Sequence, residues 1–386
     1  MKKTLLAAAV ASTLVAGYSQ AAVINLIDVG GVTGSKAEQG FQIAADYWGK
    51  MFSNDVTINL SVRFAALGPG IIGSTGSSRQ NLLVQQWVEG INATKSGSTI
   101  DQTAVLPTTT KAIFGVDSII NGLTAGVDAN GNNDNSTASL DGKVASALLY
   151  ANTAVVKAVG GTATYASNNP NQFDGSMTFS STFAFDFDPL NGIKDKTFDF
   201  IGVAIHEMGH ALGFVSGVDF LDVYGGPNGP GYGALGYDLN DTSIFSALDM
   251  FRYSAPGVVN YRPGSNTYFS LDGGVTALYS NTTSTGRYNG DRQQASHWKD
   301  LGGCSGQLGI MDPNFCYGQM GEVTGLDLAS FDAMGWNLNE DALTYGSKTT
   351  FQIYAEAVPE PTTWALMLGA LGGLVGLSRR RNVKAK

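Results

Sequence analysis

Fifteen residues near the middle of the chain constrain it most. From 198 to 212 the sequence is apolar almost all the way round a helical wheel, with Ile201, Val203, Ala204, Ile205, Met208, Ala211 and Leu212. A helix of that composition has to be covered on every face. Yet His206, Glu207 and His210 sit inside it. Buried polar groups without partners cost several kcal/mol each, so the fold must supply partners. Residues four apart lie on one helix face, one turn apart. His206 and His210 can therefore aim two imidazoles at one point, and the ion this H-E-x-x-H spacing points to is Zn2+. Zinc lowers the pKa of a coordinated water to about 7. Glu207, about 100° further round the helix, is placed to take that proton and pass it to a leaving amine.

The supply of further ligands is small, because histidine occurs only three times in 386 residues. The third is His297, in Ala295-Ser296-His297-Trp298, 87 residues after His210. A lone histidine beside tryptophan is ordinarily packed or exposed. Asp219 is a carboxylate rival, nine residues after His210. A glutamate ligand would have to come from Glu322 or beyond, since none occurs between 208 and 321. Three neutral imidazoles would leave a fourth position for water, the arrangement of a catalytic rather than a structural zinc.

The run His206-Glu207-Met208-Gly209-His210-Ala211-Leu212-Gly213 resembles the metzincin metalloproteases, whose motif is H-E-x-x-H-x-x-G-x-x-H. Ser216 stands where the third histidine of that short motif falls, so the short form is broken. The order Ser296-His297-Trp298, then Gly309-Ile310-Met311, is similar to the leishmanolysin-like branch, in which a long insertion precedes the third histidine. The resemblance implies His297 as third zinc ligand, Glu207 as catalytic base and Met311 as a turn methionine beneath the metal. It implies an α+β, zincin/metzincin-like fold: a mixed sheet, a central HExxH helix and a loop-rich C-terminal subdomain. It implies a zinc endopeptidase acting on protein or peptide substrates. A strand at about 177–185 would pair with extended substrate, and 327–336 would form a closing amphipathic helix. The competing reading is a non-catalytic cell-surface or matrix protein with a relict zincin fold. An intact Glu207 counts against it.

The ends read as addresses. Residues 1–21 have the form of a signal peptide: Lys2 and Lys3, an apolar run, then Ser19-Gln20-Ala21. At the other end come Val358-Pro359-Glu360-Pro361, an uncharged stretch to Ser378, and Arg379, Arg380, Arg381, Lys384 and Lys386. This tail resembles the PEP-CTERM sorting signal of Gram-negative bacteria. It implies an exosortase-type processing enzyme as partner and a location at the cell envelope or outside the cell. The apolar part, 364–377, is short against the roughly 20 residues of a spanning helix, which suits transient or C-terminal membrane anchoring. The chain then divides into signal peptide (1–21), metalloprotease domain (22–357) and sorting segment (358–386).

Charge and cysteine fit export. Residues 22–360 retain 16 basic and 32 acidic residues, a net charge of −16. That balance argues against nucleic acid, whose phosphates require basic residues. Cys304 and Cys316 are the only cysteines, and an oxidising compartment permits a disulfide between them. No cysteine precedes the helix, which excludes a cysteine-switch latency. Two acidic segments are candidates for Ca2+. Asp128 to Asp134 alternates oxygen donors but has Asn133 where an EF-hand has glycine, which favours a solvated turn. Asp186 and Asp188 precede Pro189 and either bind calcium or cap a turn.

Periodicity predicts strands at 23–28, 56–64 and 177–187, and helices at 37–52, 77–92, 142–158 and 198–212. Residues 217–296 are too many for a plain loop and are expected to form a subdomain walling one side of a cleft. Within it, 244–253 reads as an anchored turn or short helix, with Asp249 and Arg252 paired.

Overall fold

The first elements follow the apolar spacing closely. The computed structural model describes residues 22–358, apart from 108–111, 114–115, 118–119, 124–142, 147, 233–243 and 305. The expected leader, the Asp128 segment and nearly all of the sorting tail lie outside the described residues. Strand β1 (Val23–Gly30), helix α1 (Lys36–Met51) and strand β2 (Thr57–Ala65) come first. Ser35 caps α1 by accepting from the Ala37 amide at 3.2 Å. Phe41, Ala44, Ala45 and Trp48 share its buried face.

The next stretch departs from the periodic reading. Residues 77–92 do not form one helix. A short edge strand β3 (Gly73–Ser77) leads into β4 (Arg79–Leu83), and only then does α2 (Val84–Thr94) begin. A small helix, α3 (Thr99–Thr103), and four short strands follow: β5 (Ala112–Ile113), β6 (Val116–Asp117), β7 (Ile120–Leu123) and β8 (Lys143–Ser146). The helix expected over 142–158 is instead strand β9 (Leu148–Asn152) followed by one turn and a half of helix, α4 (Thr153–Ala158). The physical reason is the pairing of β9 with β4, Arg79 opposite Asn152 through Leu83 opposite Leu148. Two short segments that each fall inside a helical spacing are strands because they pair with each other.

Strand β10 (Gly175–Ser180) completes the main sheet, ordered β1-β2-β10-β3. The first three strands run parallel, and β3 lies antiparallel at the edge. The expected strand 177–187 breaks after Ser180 and resumes as β11 (Phe185–Asp186), paired with β12 (Phe198–Asp199). The apolar helix α5 (Phe200–Leu212) packs against both α1 and strands β3 and β10 of this sheet. Gly40 lets it approach: a Cβ there would stand 2.5 Å from the Phe200 ring. Phe41, Phe179, Phe185, Phe187 and Phe200 form an aromatic cluster at the start of α5, with neighbouring centroids as close as 4.7 Å.

The second half is sparse in regular structure, as expected. Helix α6 (Val218–Tyr224), a small sheet of β13 (Arg252–Ala255), β14 (Val258–Val259) and β15 (Tyr268–Phe269), strand β16 (Glu322–Thr324), helix α7 (Gly325–Met334), strand β17 (Ser347–Thr349) and helix α8 (Thr350–Ala357) complete it. Residues 248–251 form one 3-10 turn. The expected pairing of Asp249 with Arg252 does not occur. Asp249 accepts from Ser216, Gly217 and Ser246, whereas Arg252 donates to the Ser284 carbonyl at 2.8 Å. The closing helix α7 is not amphipathic, since all ten of its residues are buried. The architecture is thus mixed α+β. Among the described residues no helix is long and apolar enough to cross a membrane.

Candidate metal centre

Two carbonyl groups and a tight turn fix the helix histidines. His206 Nδ1 lies 2.7 Å from the Ile310 carbonyl, and His210 Nδ1 lies 2.6 Å from the Phe214 carbonyl. The second bond depends on Gly213, whose φ of 134° turns the chain out of α5 and back over its last turn. His297 Nδ1 faces the Gln294 carbonyl at 3.2 Å. A carbonyl can only accept, so each Nδ1 carries the proton and each Nε2 presents a bare lone pair.

Those three lone pairs converge. His210 Nε2 is 3.1 Å from His206 Nε2 and 3.2 Å from His297 Nε2. Neutral imidazoles in this tautomer cannot hydrogen-bond to one another through Nε2. Three acceptors at such distances are a donor set that could hold one cation. Tetrahedral zinc with Zn–N bonds of about 2.0–2.1 Å would hold its nitrogens about 3.3 Å apart, close to what is found. Burial also keeps the rings neutral. His206 is pushed down to about 4 and His297 to about 3 by desolvation, and His210 falls well below the ordinary histidine range through burial and its two neighbours. The donor set therefore fits a zinc-type ion.

Among the described residues, these three form the one cluster with metal-ligand spacing. Neither rival ligand joins it. The Asp219 carboxylate accepts from the Ala295 amide at 2.6 Å, the Ser296 amide at 3.2 Å and the Ser296 hydroxyl. Glu322 lies on β16, paired with Thr349. Asp186 is engaged by the amides of Asp188 and Lys194 and by the Lys194 ammonium, and Asp188 caps the following 3-10 turn. That geometry is the turn-capping alternative.

Glu207 faces the edge strand. Thr75 Oγ1 donates to Glu207 Oε2 at 2.6 Å, and a Cβ at Gly73 would stand 2.6 Å from Oε1. Burial pushes this carboxyl up to about 7, against the lowering effect of the Thr75 hydroxyl. The expected substrate-pairing strand at 177–185 is corrected by the same geometry. β10 has β2 on one side and β3 on the other, so its backbone groups are already paired, and β3 is the open edge beside Glu207.

Met311 lies fully buried under α5, where a Cβ at Gly209 would come within 2.5 Å of its sulfur. The disulfide between Cys304 and Cys316 brackets it and closes a loop whose crosslink contributes about 3 kcal/mol in the chain-entropy model. One residue of this neighbourhood was not singled out from sequence. Asp327, wholly buried in the first turn of α7, accepts from the Trp298 indole at 2.8 Å and from the Ile310 and Met311 amides at 2.9 and 3.3 Å. It ties the residue after His297 to the turn that carries Met311. The one sequence signal was Thr324 three residues ahead, a capping pattern that explains an aspartate there without any site.

Residues 357–382 match the PEP-CTERM protein-sorting motif. The match marks an exported protein of the Gram-negative cell-envelope type and implies recognition by exosortase-type sorting machinery. It covers the tail alone. No curated protein and no solved structure matches the chain.

Proposed function

We propose that the protein is an exported zinc-dependent endopeptidase of the metzincin type. The observation that carries this reading is the convergence of three Nε2 lone pairs from one helix and one distant loop. Zn2+ held by His206, His210 and His297 would supply Lewis acidity, lowering the pKa of a coordinated water to about 7. The chain's own residues account for the rest. The Ile310, Phe214 and Gln294 carbonyls fix the tautomer of each ring. Glu207 is the general base and later the general acid, with a carboxyl that burial has brought near neutrality, where proton transfer in both directions is efficient. Thr75 holds one of its oxygens and leaves the other for solvent. The open edge of β3 offers main-chain groups to an extended peptide, which would add as a further strand beside the base. Several residues of backbone pairing suit a protein or peptide substrate better than a small molecule.

The test is the Glu207→Gln variant of the mature protein with a denatured protein such as casein. The expected result is zinc bound as in the wild type and hydrolysis reduced by orders of magnitude. Cleavage at the wild-type rate would reject Glu207 as base. A wild-type protein that binds zinc but cleaves no peptide would favour the relict, non-catalytic reading.

A further inference from the structure

The candidate ligand His297 has no helix to hold it, so its loop must be held from outside. Asp327 holds the following residue through the Trp298 indole. The residues before it are held by Asp219, and among the described residues every hydrogen bond the Asp219 carboxylate accepts comes from Ala295 or Ser296. Ser296 is itself bound on a second side, by the Ser216 amide at 2.8 Å. Ser216 is anchored in turn, its hydroxyl donating to Asp249 at 2.5 Å while Gly217 and Ser246 donate to the other Asp249 oxygen. The chain leaving α5 and the chain entering His297, 80 residues apart at Ser216 and Ser296, are therefore clasped beside the site. Asp327 also closes a capping box on α7, which gives it a role in the fold regardless of any metal. The Asp219 side chain accepts nothing from its own helix. Among the described residues its bonds hold the two residues that lead into His297.

We propose that Asp219 is a positioning residue that, with Ser296, latches the His297 loop to the start of α6 and so sets the affinity and geometry of the three-imidazole site for a divalent metal. The inference rests on the zinc reading above. It adds that the third ligand is placed before metal arrives, so that closing the long intervening segment is not charged against metal binding. It also gives Asp219 a role other than that of rival ligand, one step behind the coordinating ring.

The experiment compares mature wild-type protein with D219N, S296A and D174N. Zinc affinity is read by chelator competition, coordination by the Co2+ d–d spectrum, and ring order by the imidazole resonances of the metal-free protein, whose three histidines are His206, His210 and His297. D219N turns an acceptor into a donor facing the 295–296 amides. Its zinc affinity should fall about 10- to 100-fold, its Co2+ band should shift, and the His297 resonance should broaden. S296A removes the hydroxyl bonds and leaves the two amide bonds to Asp219. It should move the same way by less, and it carries the test if D219N does not fold. Asp174 is a matched control, since its carboxylate accepts from Asn59, Thr153, Lys157 and Tyr165 at 2.7–2.8 Å. D174N should cost stability and leave zinc affinity unchanged. Wild-type zinc affinity and Co2+ spectrum in both D219N and S296A would overturn the latch while leaving the zinc reading intact. A wild-type protein that binds neither metal would overturn both.

Discussion

His210 and His297 bring their Nε2 atoms to 3.2 Å across 87 residues of chain. Both rings spend their proton on a backbone carbonyl, so neither can satisfy the other. A loop ring and a helix ring are thereby made equivalent. The expected consequence is that His297→Ala loses zinc as completely as His206→Ala, by several orders of magnitude in affinity. Equilibrium competition against a chelator measures this. A His297→Ala protein with wild-type affinity would mean that His297 is packing, the ordinary fate of a lone histidine beside tryptophan.

Proton counting separates this site from three ordinary histidines. With His206 at about 4 and His297 at about 3, the rings are already neutral at pH 6. Three unperturbed imidazoles with pKa near 6.5 would carry about two protons between them at that pH and release them on metal binding. In a Glu207→Gln background, which removes the carboxylate, zinc binding at pH 6 should release close to none. Calorimetry in buffers of different ionisation enthalpy reads the number. The same shifts fix a sign for stability. Below about pH 6.5 the unfolded chain takes up protons that the folded metal-free protein refuses until about pH 4. These rings should therefore lower its stability as pH falls through that window.

The edge strand holds the proposed base, Glu207. Thr75 donates to the Glu207 carboxylate at 2.6 Å, and Gly73 leaves no room for a Cβ beside the other oxygen. Thr75→Val keeps the shape and loses the bond that favours the ionised form, so hydrolysis should fall about tenfold at neutral pH and the acid limb of the pH profile should move upward. Thr75→Ser should restore most of it. Gly73→Ala should cost more, by pushing the carboxylate off its position. Zinc affinity should stay near wild type in all three, because none touches a ligand. A loss of metal in Thr75→Val would assign Thr75 to the fold instead of the base.

Much of the centre was legible because its information is local. Two histidines four apart on an otherwise apolar helix point at one spot, and the family resemblance carried by Trp298 and Met311 implied the third ring; the structure brings all three rings together. What stayed hidden depends on which distant segments meet. Residues 79–83 and 148–152 each read as helix, and only their mutual pairing makes them strands. The open edge of the sheet proved to be β3, a stretch of Gly, Ser and Thr with no apolar alternation to announce it. Asp219 reads as a rival ligand, and Asp327 as one more residue of a closing helix. Their reach to residues 295–298 and 310–311 is a property of the folded chain alone.

Gly209 gives the sharpest packing test, because it lies inside the histidine motif and touches no metal. A Cβ there would meet the Met311 sulfur at 2.5 Å and the methyl carbon at 3.2 Å. Met311 cannot retreat freely. It is fully buried, its amide is bound to Asp327, and its carbonyl accepts from the Trp298 amide at 3.0 Å. Gly209→Ala should therefore destabilise the fold by about 1–3 kcal/mol, although alanine is the better helix former. The strain should reach the centre through Trp298, which follows His297, so zinc affinity should fall as well. The double variant Gly209→Ala with Met311→Ala should recover part of the affinity by making room. Denaturant unfolding and chelator competition on Gly209→Ala, Met311→Ala and the double variant decide it. If the double variant loses as much as the sum of the singles, the contact between the turn methionine and the helix carries no coupling.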